Sequence, residues 1–256
     1  MSAVTQASEQ RGGGDKNLTL LEHLQELRYR LMICAGALVV GMCVSFYPLT
    51  GWVLEWIQEP ARDNVHDFHL IFTQPLEYWT TYFQVSLTIG LTLAMPVFVW
   101  QLLAFVGPGL TPAEKRWLYP IVAGASLMFV AGCLFAYYVE LPPALNFLLD
   151  TNGVADPFIS VQKYVGFVTK MLIVNGLAFE TPLIVMGLAK IGVVTARKLR
   201  NWWRFAIVGA FIISAIVTPS IDPVTQTLVA GPMIVLYFVG IGLAKLVEGN
   251  PIIPRQ

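Results

Sequence analysis

The chain has 256 residues, of which 56% are hydrophobic and 12% are charged, and its mean hydropathy is +0.65. A soluble domain of this length does not need so much apolar surface, so most of the chain is predicted to lie in a lipid bilayer. The formal net charge is zero, which gives no electrostatic argument for a nucleic-acid partner.

The three cysteines, Cys34, Cys43 and Cys133, lie inside apolar runs and have no CxxC spacing. This pattern indicates neither a disulfide framework nor a metal site, and we expect all three to be small buried residues.

The first seventeen residues, MSAVTQASEQRGGGDKN, are polar and glycine-rich and predict a disordered tail over 1–17. They lack the basic, apolar and small-residue succession of a cleavable signal, so the first hydrophobic run is expected to remain as a membrane span. One transmembrane domain is predicted over 18–247, followed by a short tail over 248–256. Both tails are predicted to be cytoplasmic.

Six hydrophobic runs are candidate membrane spans, because a bilayer core about 30 Å thick requires about 20 apolar residues per helix. The runs are Leu31–Tyr47, Tyr82–Val106, Leu118–Leu141, Val165–Ala189, Phe205–Val217 and Thr227–Val247. They are continuous and do not alternate with period two, which argues against a β-barrel. The predicted fold class is therefore an all-α integral membrane protein with six transmembrane helices.

The spans are not expected to be uniform. Counted from Trp202, the fifth would reach only about 24 Å at ~1.5 Å per residue. It should therefore thin the bilayer locally or rely on snorkelling of Trp202, Trp203 and Arg204. Prolines interrupt other spans and predict kinked helices that form a concave wall: Pro96, Pro108, Pro182 and Pro232.

The basic residues predict the orientation of the chain. With a cytoplasmic N-terminus, thirteen of the sixteen lysines and arginines lie inside, and only Arg62, Lys163 and Lys170 fall on or near the outer side. The positive-inside rule then gives an N-in, C-in topology in the cytoplasmic membrane. Acids collect in the outer segments instead: Glu55, Glu59, Asp63, Asp67, Glu77, Glu140, Asp150, Asp156 and Asp222. The first two outer segments are predicted to form a small cap of short helices.

Glu180 is an acid in the middle of an apolar run, VNGLAFETPLIV. An ionised carboxylate in the bilayer costs at least ~2.5 kcal/mol, so a lipid-facing position is disfavoured. Two interpretations remain open: a structural hydrogen bond to another helix, or a residue that lines a polar cavity.

Two acids flank the spans on the predicted cytoplasmic side. Glu26 precedes Arg30 by four residues, which favours an ion pair within one helix. Glu114 follows Thr111 and Pro112 in the spacing of a helix capping box. Either acid could therefore be structural, or it could be available to a cationic ligand.

Four stretches of the chain together resemble the TatC subunit family of the twin-arginine protein translocase. They are HLQELRYRL, PVFVWQLLAFVGPGLTPAEKRW, LAFETP and DPVTQTLVAGP. They occur in the family's order, and the resemblance runs from about Leu18 to Val247 with six spans.

The resemblance implies a membrane receptor that binds signal peptides with an Arg-Arg motif. Together with single-span TatA-type and TatB-type partners, and with self-association in a membrane complex, it would export folded proteins. No cofactor or metal is implied.

The resemblance also assigns roles to individual residues. Glu26 and Glu114 match the acids that receive the two arginines, with Arg28, Phe105 and His23 in the same surface. Glu180 matches the intramembrane acid, Gln226 and Asp222 match the polar start of the sixth span, and Pro60 matches a structural proline of the first outer loop. Gln84 stands where the family often has a lysine.

Other classes of protein predict different features. A proton-coupled transporter of small solutes would bring several charges to mid-depth, whereas Glu180 is nearly alone. An enzyme is not indicated, because the chain has neither GxSxG nor HExxH. It has no GxxxxGK[ST] phosphate loop either, so energy would come from the proton gradient or from a partner.

Overall fold

The computed structural model describes residues 20–64, 70–106, 112–149, 159–190, 192–218 and 222–248, with the side chains of 20–23, 63–64, 106, 112–119 and 149 excepted. Nine α-helices lie in these ranges: α1 Leu20–Phe46, α2 Thr50–Asn64, α3 Glu77–Val106, α4 Pro112–Phe135, α5 Leu141–Leu149, α6 Val161–Lys190, α7 Ala196–Asn201, α8 Trp203–Val217 and α9 Pro223–Glu248. A π-helical turn, Ala136–Glu140, joins α4 to α5, and two short strands, β1 Leu70–Ile71 and β2 Ile159–Ser160, lie in the outer segments. The predicted tails, 1–17 and 248–256, lie outside the described residues except for Glu248, which ends α9.

The helices confirm the predicted fold class. Five helical stretches are long and apolar enough to cross a membrane, and the shorter apolar helix Trp203–Val217 occupies the place of the fifth predicted span. The third crossing, Pro120–Leu148, continues through the π-helical turn, so α4 and α5 act as one long unit. Four prolines, Pro96, Pro120, Pro182 and Pro232, lie inside these long helices; Pro108 is outside the described residues.

The long helices pack in an extended order. α1 packs on α3, α3 contacts α4 and α6, α6 packs on α9, and α9 packs on α8. Large apolar side chains at both ends of this order are exposed, such as Val40 of α1 and Ile216 of α8. Such faces are typical of helices that are surrounded by lipid.

Small residues bring two helix pairs into backbone contact. A Cβ atom on Gly90 of α3 would lie 2.6 Å from the backbone nitrogen of Met42 in α1. A Cβ atom on Gly132 of α4 would lie 2.6 Å from the carbonyl oxygen of Asn175 in α6. Small residues permit this close packing in a bilayer, where helix association relies on van der Waals contact and hydrogen bonds.

Hydroxyl groups add polar contacts between the helices. Ser45 donates to the carbonyl of Ser86 at 3.1 Å, and Ser86 donates to the carbonyl of Met42 at 3.0 Å. Gln84 donates to the Thr169 hydroxyl at 2.8 Å and so connects α3 with α6. Gln84 therefore has a structural partner that requires no positive charge.

Helix α2 covers the outer ends of the spans, and Pro60 lies buried within it. Proline has no N–H, so the carbonyl four residues earlier, that of Trp56, receives no intrahelical bond from it. The Tyr137 hydroxyl donates to that carbonyl at 2.7 Å, and the Tyr164 hydroxyl donates to the next one, at Ile57, also at 2.7 Å. Two tyrosines thus fix α2 to the third and fourth crossings.

The first two outer segments also meet in a parallel strand pair, in which Leu70 is opposite Ile159. Beside this pair, the Glu77 carboxylate is 1% exposed and accepts from the backbone N–H groups of Thr73, Gln74 and Gln162 at 2.5, 3.1 and 2.9 Å. The hydroxyls of Thr73 and Ser160 also donate to it. One carboxylate therefore joins the start of α3 to the start of α6.

The structure corrects three expectations from sequence. The outer cap contains a strand pair as well as helices. Glu140, which we assigned to the outer segments, lies within the third crossing and is buried, where it accepts a hydrogen bond from Asn175 of α6. Among the cysteines, Cys34 is buried, Cys133 is half-buried and Cys43 is exposed, since a helix in lipid can present an apolar thiol outward.

We expect Gly90→Ala to destabilise the protein by ~1–3 kcal/mol, because the added methyl group meets backbone atoms that cannot rotate away. Thermal unfolding in detergent would measure the loss. Gly124→Ala is the matched control, since nothing lies within 4 Å of a Cβ atom at that helical position. Equal stability of the two variants would contradict the close α1–α3 contact.

The charge asymmetry predicts the sidedness of the loops. Reporter proteins fused after Val247 and near Arg200 should read as cytoplasmic, and reporters near Asp63 and Asp150 should read as external. A cytoplasmic signal at Asp150 would contradict the six-span topology.

Candidate functional site

The Glu26 carboxylate lies near the start of α1, where the predicted ion pair with Arg30 is present. Arg30 donates from Nε to Glu26 Oε1 at 3.1 Å, and its Nη2 also contacts Oε1. Arg30 also donates from Nη1 to Gln101 Oε1 of α3 at 3.2 Å. The side chain of Glu26 is 26% exposed, and its hydrogen bonds with Arg30 all end on Oε1. The acid is therefore held through one oxygen in a partly exposed position.

Of the other residues predicted for this surface, Phe105 and Arg28 have described side chains. Phe105 lies one helical turn after Gln101, so the two share a face of α3, and Phe105 is half-buried. Arg28 is exposed and lies two residues from Glu26, so these two side chains do not face each other.

Two further predicted residues lie where the side chains are not described. The backbone of His23 belongs to α1, and that of Glu114 belongs to the first turn of α4. The capping box proposed for Glu114 involves Thr111, which is outside the described residues.

Glu180 lies in the membrane-spanning part of α6 and is only 2% exposed. Neither of its carboxylate oxygens has a hydrogen-bond partner in the described part of the chain. The structural hydrogen bond that the sequence left open is therefore not formed with any described residue. Pro182, two residues later, is buried as well.

Asp222 caps the last long helix. Its Oδ1 accepts from the backbone N–H of Thr225 at 2.7 Å, and its Oδ2 contacts the Thr225 hydroxyl. This is the geometry of a helix N-cap. The carbonyl of Gln226 accepts from Ser214 of α8 at 2.7 Å, which fixes the turn between the fifth and sixth crossings.

One buried polar pair inside the spans was not predicted from the sequence. Asn175 of α6 donates from Nδ2 to Glu140 Oε2 at 2.7 Å, and both residues are buried. Asn175 stands five residues before Glu180 in the same apolar run, which is a signal that the sequence does contain. Glu140 gave a weaker signal, because it lies at the end of its run beside two prolines.

The arrangement provides a negative group at the cytoplasmic end and polar groups in the membrane interior. Within the described residues, no three His, Cys, Asp or Glu side chains come together as metal ligands. The Glu26 carboxylate can hold a cationic group by charge-assisted hydrogen bonds.

Comparisons with known proteins agree on the family of this chain. The family model for the Sec-independent protein translocase protein (TatC) matches residues 22–232. The Sec-independent protein translocase protein TatC of Aquifex aeolicus is 39% identical over 232 residues, covering 90% of this chain and 95% of the relative. The chloroplastic TATC protein of Arabidopsis thaliana is 39% identical over 236 residues, covering 91% of this chain and 68% of the relative.

A solved structure is also similar. The crystal structure of the twin-arginine translocase receptor TatC matches with a TM-score of 0.81 and 39% identity, covering 88% of this chain and 99% of the solved one. These matches support the family that four sequence stretches indicated, and they do not support a small-solute transporter. The matched proteins are components of a protein translocase and not enzymes. The long apolar helices of this chain agree with a multi-pass membrane protein. The chain belongs to the TatC family of Sec-independent protein translocase proteins.

Proposed function

We propose that this chain is the signal-peptide receptor and core subunit of a twin-arginine translocase in the cytoplasmic membrane. In this function it binds Arg-Arg signal peptides and exports folded proteins with the proton gradient. The observation that carries the proposal is the partly exposed Glu26 carboxylate, whose bonds with Arg30 all end on one oxygen.

The geometry of Glu26 suits an arginine ligand. A guanidinium group keeps its charge at all physiological pH values and presents N–H groups in a planar fork, so a fixed carboxylate is its natural partner. Arg30 is itself held by Gln101 and so cannot easily turn away from Glu26. An incoming arginine would bind at Oε2, next to a rigid internal cation.

Glu114 is the proposed second acid, because it follows the first cytoplasmic loop and its helix begins at Pro112. The half-buried ring of Phe105 ends the neighbouring helix and would contact the apolar part of the signal peptide. His23 and Arg28 complete the proposed surface.

Membership of the family supports a complex with other subunits. We assign TatA-type and TatB-type single-span proteins as partners, together with other copies of this chain. The exposed apolar faces of α1 and α8 offer surfaces on which single helices could pack in the bilayer.

Replacing either acid should weaken recognition of the signal peptide. Each charge-assisted contact is worth ~1.5–3 kcal/mol, and somewhat less where salt screens it. Glu26→Gln and Glu114→Gln should therefore each lower the affinity for an Arg-Arg signal peptide about tenfold or more. Titration of a labelled peptide into purified protein would measure this change.

Two controls make that measurement specific. Glu55→Gln removes an exposed acid of α2 and should leave the affinity unchanged. A twin-lysine peptide should bind the wild type more weakly and should be less sensitive to both glutamine variants, because an ammonium group cannot form the planar fork. Unchanged affinity in correctly inserted Glu26→Gln and Glu114→Gln proteins would refute the site assignment.

Glu180 is expected to serve export and not folding. Because its buried oxygens have no described partner, Glu180→Leu removes no visible bond and should accumulate in the membrane at a normal level. Export of a twin-arginine cargo should nevertheless fall strongly in Glu180→Leu and less in Glu180→Gln, which remains polar. Thr81→Val is the matched control, since Thr81 also has a buried, unpartnered oxygen and should export normally. Normal export by Glu180→Leu would exclude Glu180 from the mechanism.

A further inference from the structure

Glu140 and Asn175 form a buried polar pair that the proposed function does not use. Glu140 is 2% exposed and ends the π-helical turn, while Asn175 is fully buried in α6. π-helical turns occur frequently at functional sites. The α4 and α6 backbones also touch near the pair, because Gly132 lies directly against Asn175 and Gly176. The pair is therefore enclosed by protein.

The hydrogen bonds of the pair are incomplete in a specific way. Asn175 uses Nδ2 twice, donating to Glu140 Oε2 at 2.7 Å and to the carbonyl of Met171 at 3.2 Å. Its Oδ1 has no partner among the described residues, and Glu140 Oε1 has none either. Both unpartnered atoms are acceptors, so each lacks a donor. Buried acceptors are rarely left in this state.

Glu77 shows what a buried ionised carboxylate in this protein requires. Its oxygens accept from three backbone N–H groups and two hydroxyls. Glu140 accepts from one amide and, within the described residues, forms no ion pair. A charge with so little compensation in a membrane span is strongly disfavoured.

We propose that the Glu140–Asn175 pair is a proton-binding site, in which Glu140 is a neutral carboxylic acid. A proton on Oε1 makes this atom a donor, and Asn175 Oδ1, on the side chain already bonded to Glu140, is an acceptor that lacks one. Oε1 shares its carbon with Oε2, and Oδ1 shares its carbon with Nδ2, so small rotations of the two planar groups bring them together. Acid and amide then exchange two hydrogen bonds in a ring, and both unpartnered atoms are satisfied.

The proton is the ligand of this site and holds the third crossing to the fourth. Without the proton, Oε1 and Oδ1 are both acceptors, and no hydrogen atom is present to form a bond between them. The single N–H···O bond from Asn175 then has to stabilise a full buried charge. The pair is separate from Glu180, which lies more than one helical turn beyond Asn175 and has no amide partner.

The neighbouring titratable groups do not change this assignment. Those on the described parts of the packed helices are Cys133 of α4, Tyr137 and Tyr138 of the π-helical turn, Lys163, Tyr164, Lys170, Glu180 and Lys190 of α6, and Glu55, Glu59 and Arg62 of α2. None of them forms a hydrogen bond or ion pair with Glu140. The charged groups of α2 are exposed, as are Lys163 and Lys170 of α6, and Lys190 lies at the other end of α6, fifteen residues beyond Asn175.

Infrared spectroscopy of the full-length protein in lipid at neutral pH tests the proposal directly, because a carboxylic acid has a C=O band distinct from the carboxylate bands. The spectrum of wild type minus Glu140→Gln should show one such band, and the band should shift in D₂O. In Asn175→Leu the band should persist at a shifted position, because the amide contact is lost. Glu55→Gln, which removes an exposed acid, should change no acid band.

Three results would overturn the proposal. The first is the absence of an acid band in the Glu140 difference spectrum, which would mean an ionised carboxylate solvated by bound water. The second is a band whose position is indifferent to Asn175→Leu, which would mean that the two groups do not form a pair. The third comes from thermal unfolding: the Glu140→Leu/Asn175→Leu double variant should recover stability lost by Asn175→Leu, and no recovery would show that the two positions are uncoupled.

Discussion

The structure depends on one constraint: in a bilayer core, polar groups cannot exchange hydrogen bonds with water and must find partners inside the protein. The helices satisfy their own backbones, and the few polar side chains that remain form hydrogen bonds between helices. The serines of α1 and α3 bond to each other's helix, and Gln84 bonds to Thr169 across to α6. Combined with the glycine contacts, these bonds define which helices are neighbours.

The same constraint explains how much of the fold could be predicted. Continuous apolar runs indicated all six crossings, including the short fifth one, because length and hydropathy are local properties. The strand pair was missed, because two-residue strands are too short for any periodic pattern and join segments almost ninety residues apart. Glu140 was misplaced for a related reason. An acid at the end of an apolar run can face water or a neighbouring helix, and only the distant partner decides which.

The candidate site was predictable to a different extent. The spacing of Glu26 and Arg30 gave their ion pair directly, since residues four apart in a helix are neighbours. The bond from Arg30 to Gln101 spans 71 positions of the chain and has no local signal. Yet that bond decides the chemistry, because it holds Arg30 to one oxygen of Glu26. Asn175 is easily recognised as a polar residue in an apolar run. Its role as a partner of Glu140 follows only from the structure, in which the two side chains lie opposite each other.

The buried proline of α2 has a consequence for how substitutions at distant positions combine. Pro60 leaves the Trp56 carbonyl without an intrahelical donor, and Tyr137 supplies one from another helix. A residue with an N–H at position 60 could bond to that carbonyl itself and so compete with the tyrosine. Loss of the Tyr137 hydroxyl would then matter less than it does beside proline. We therefore expect the two positions, 77 residues apart in the chain, to be thermodynamically coupled, with non-additive effects of substitutions on stability.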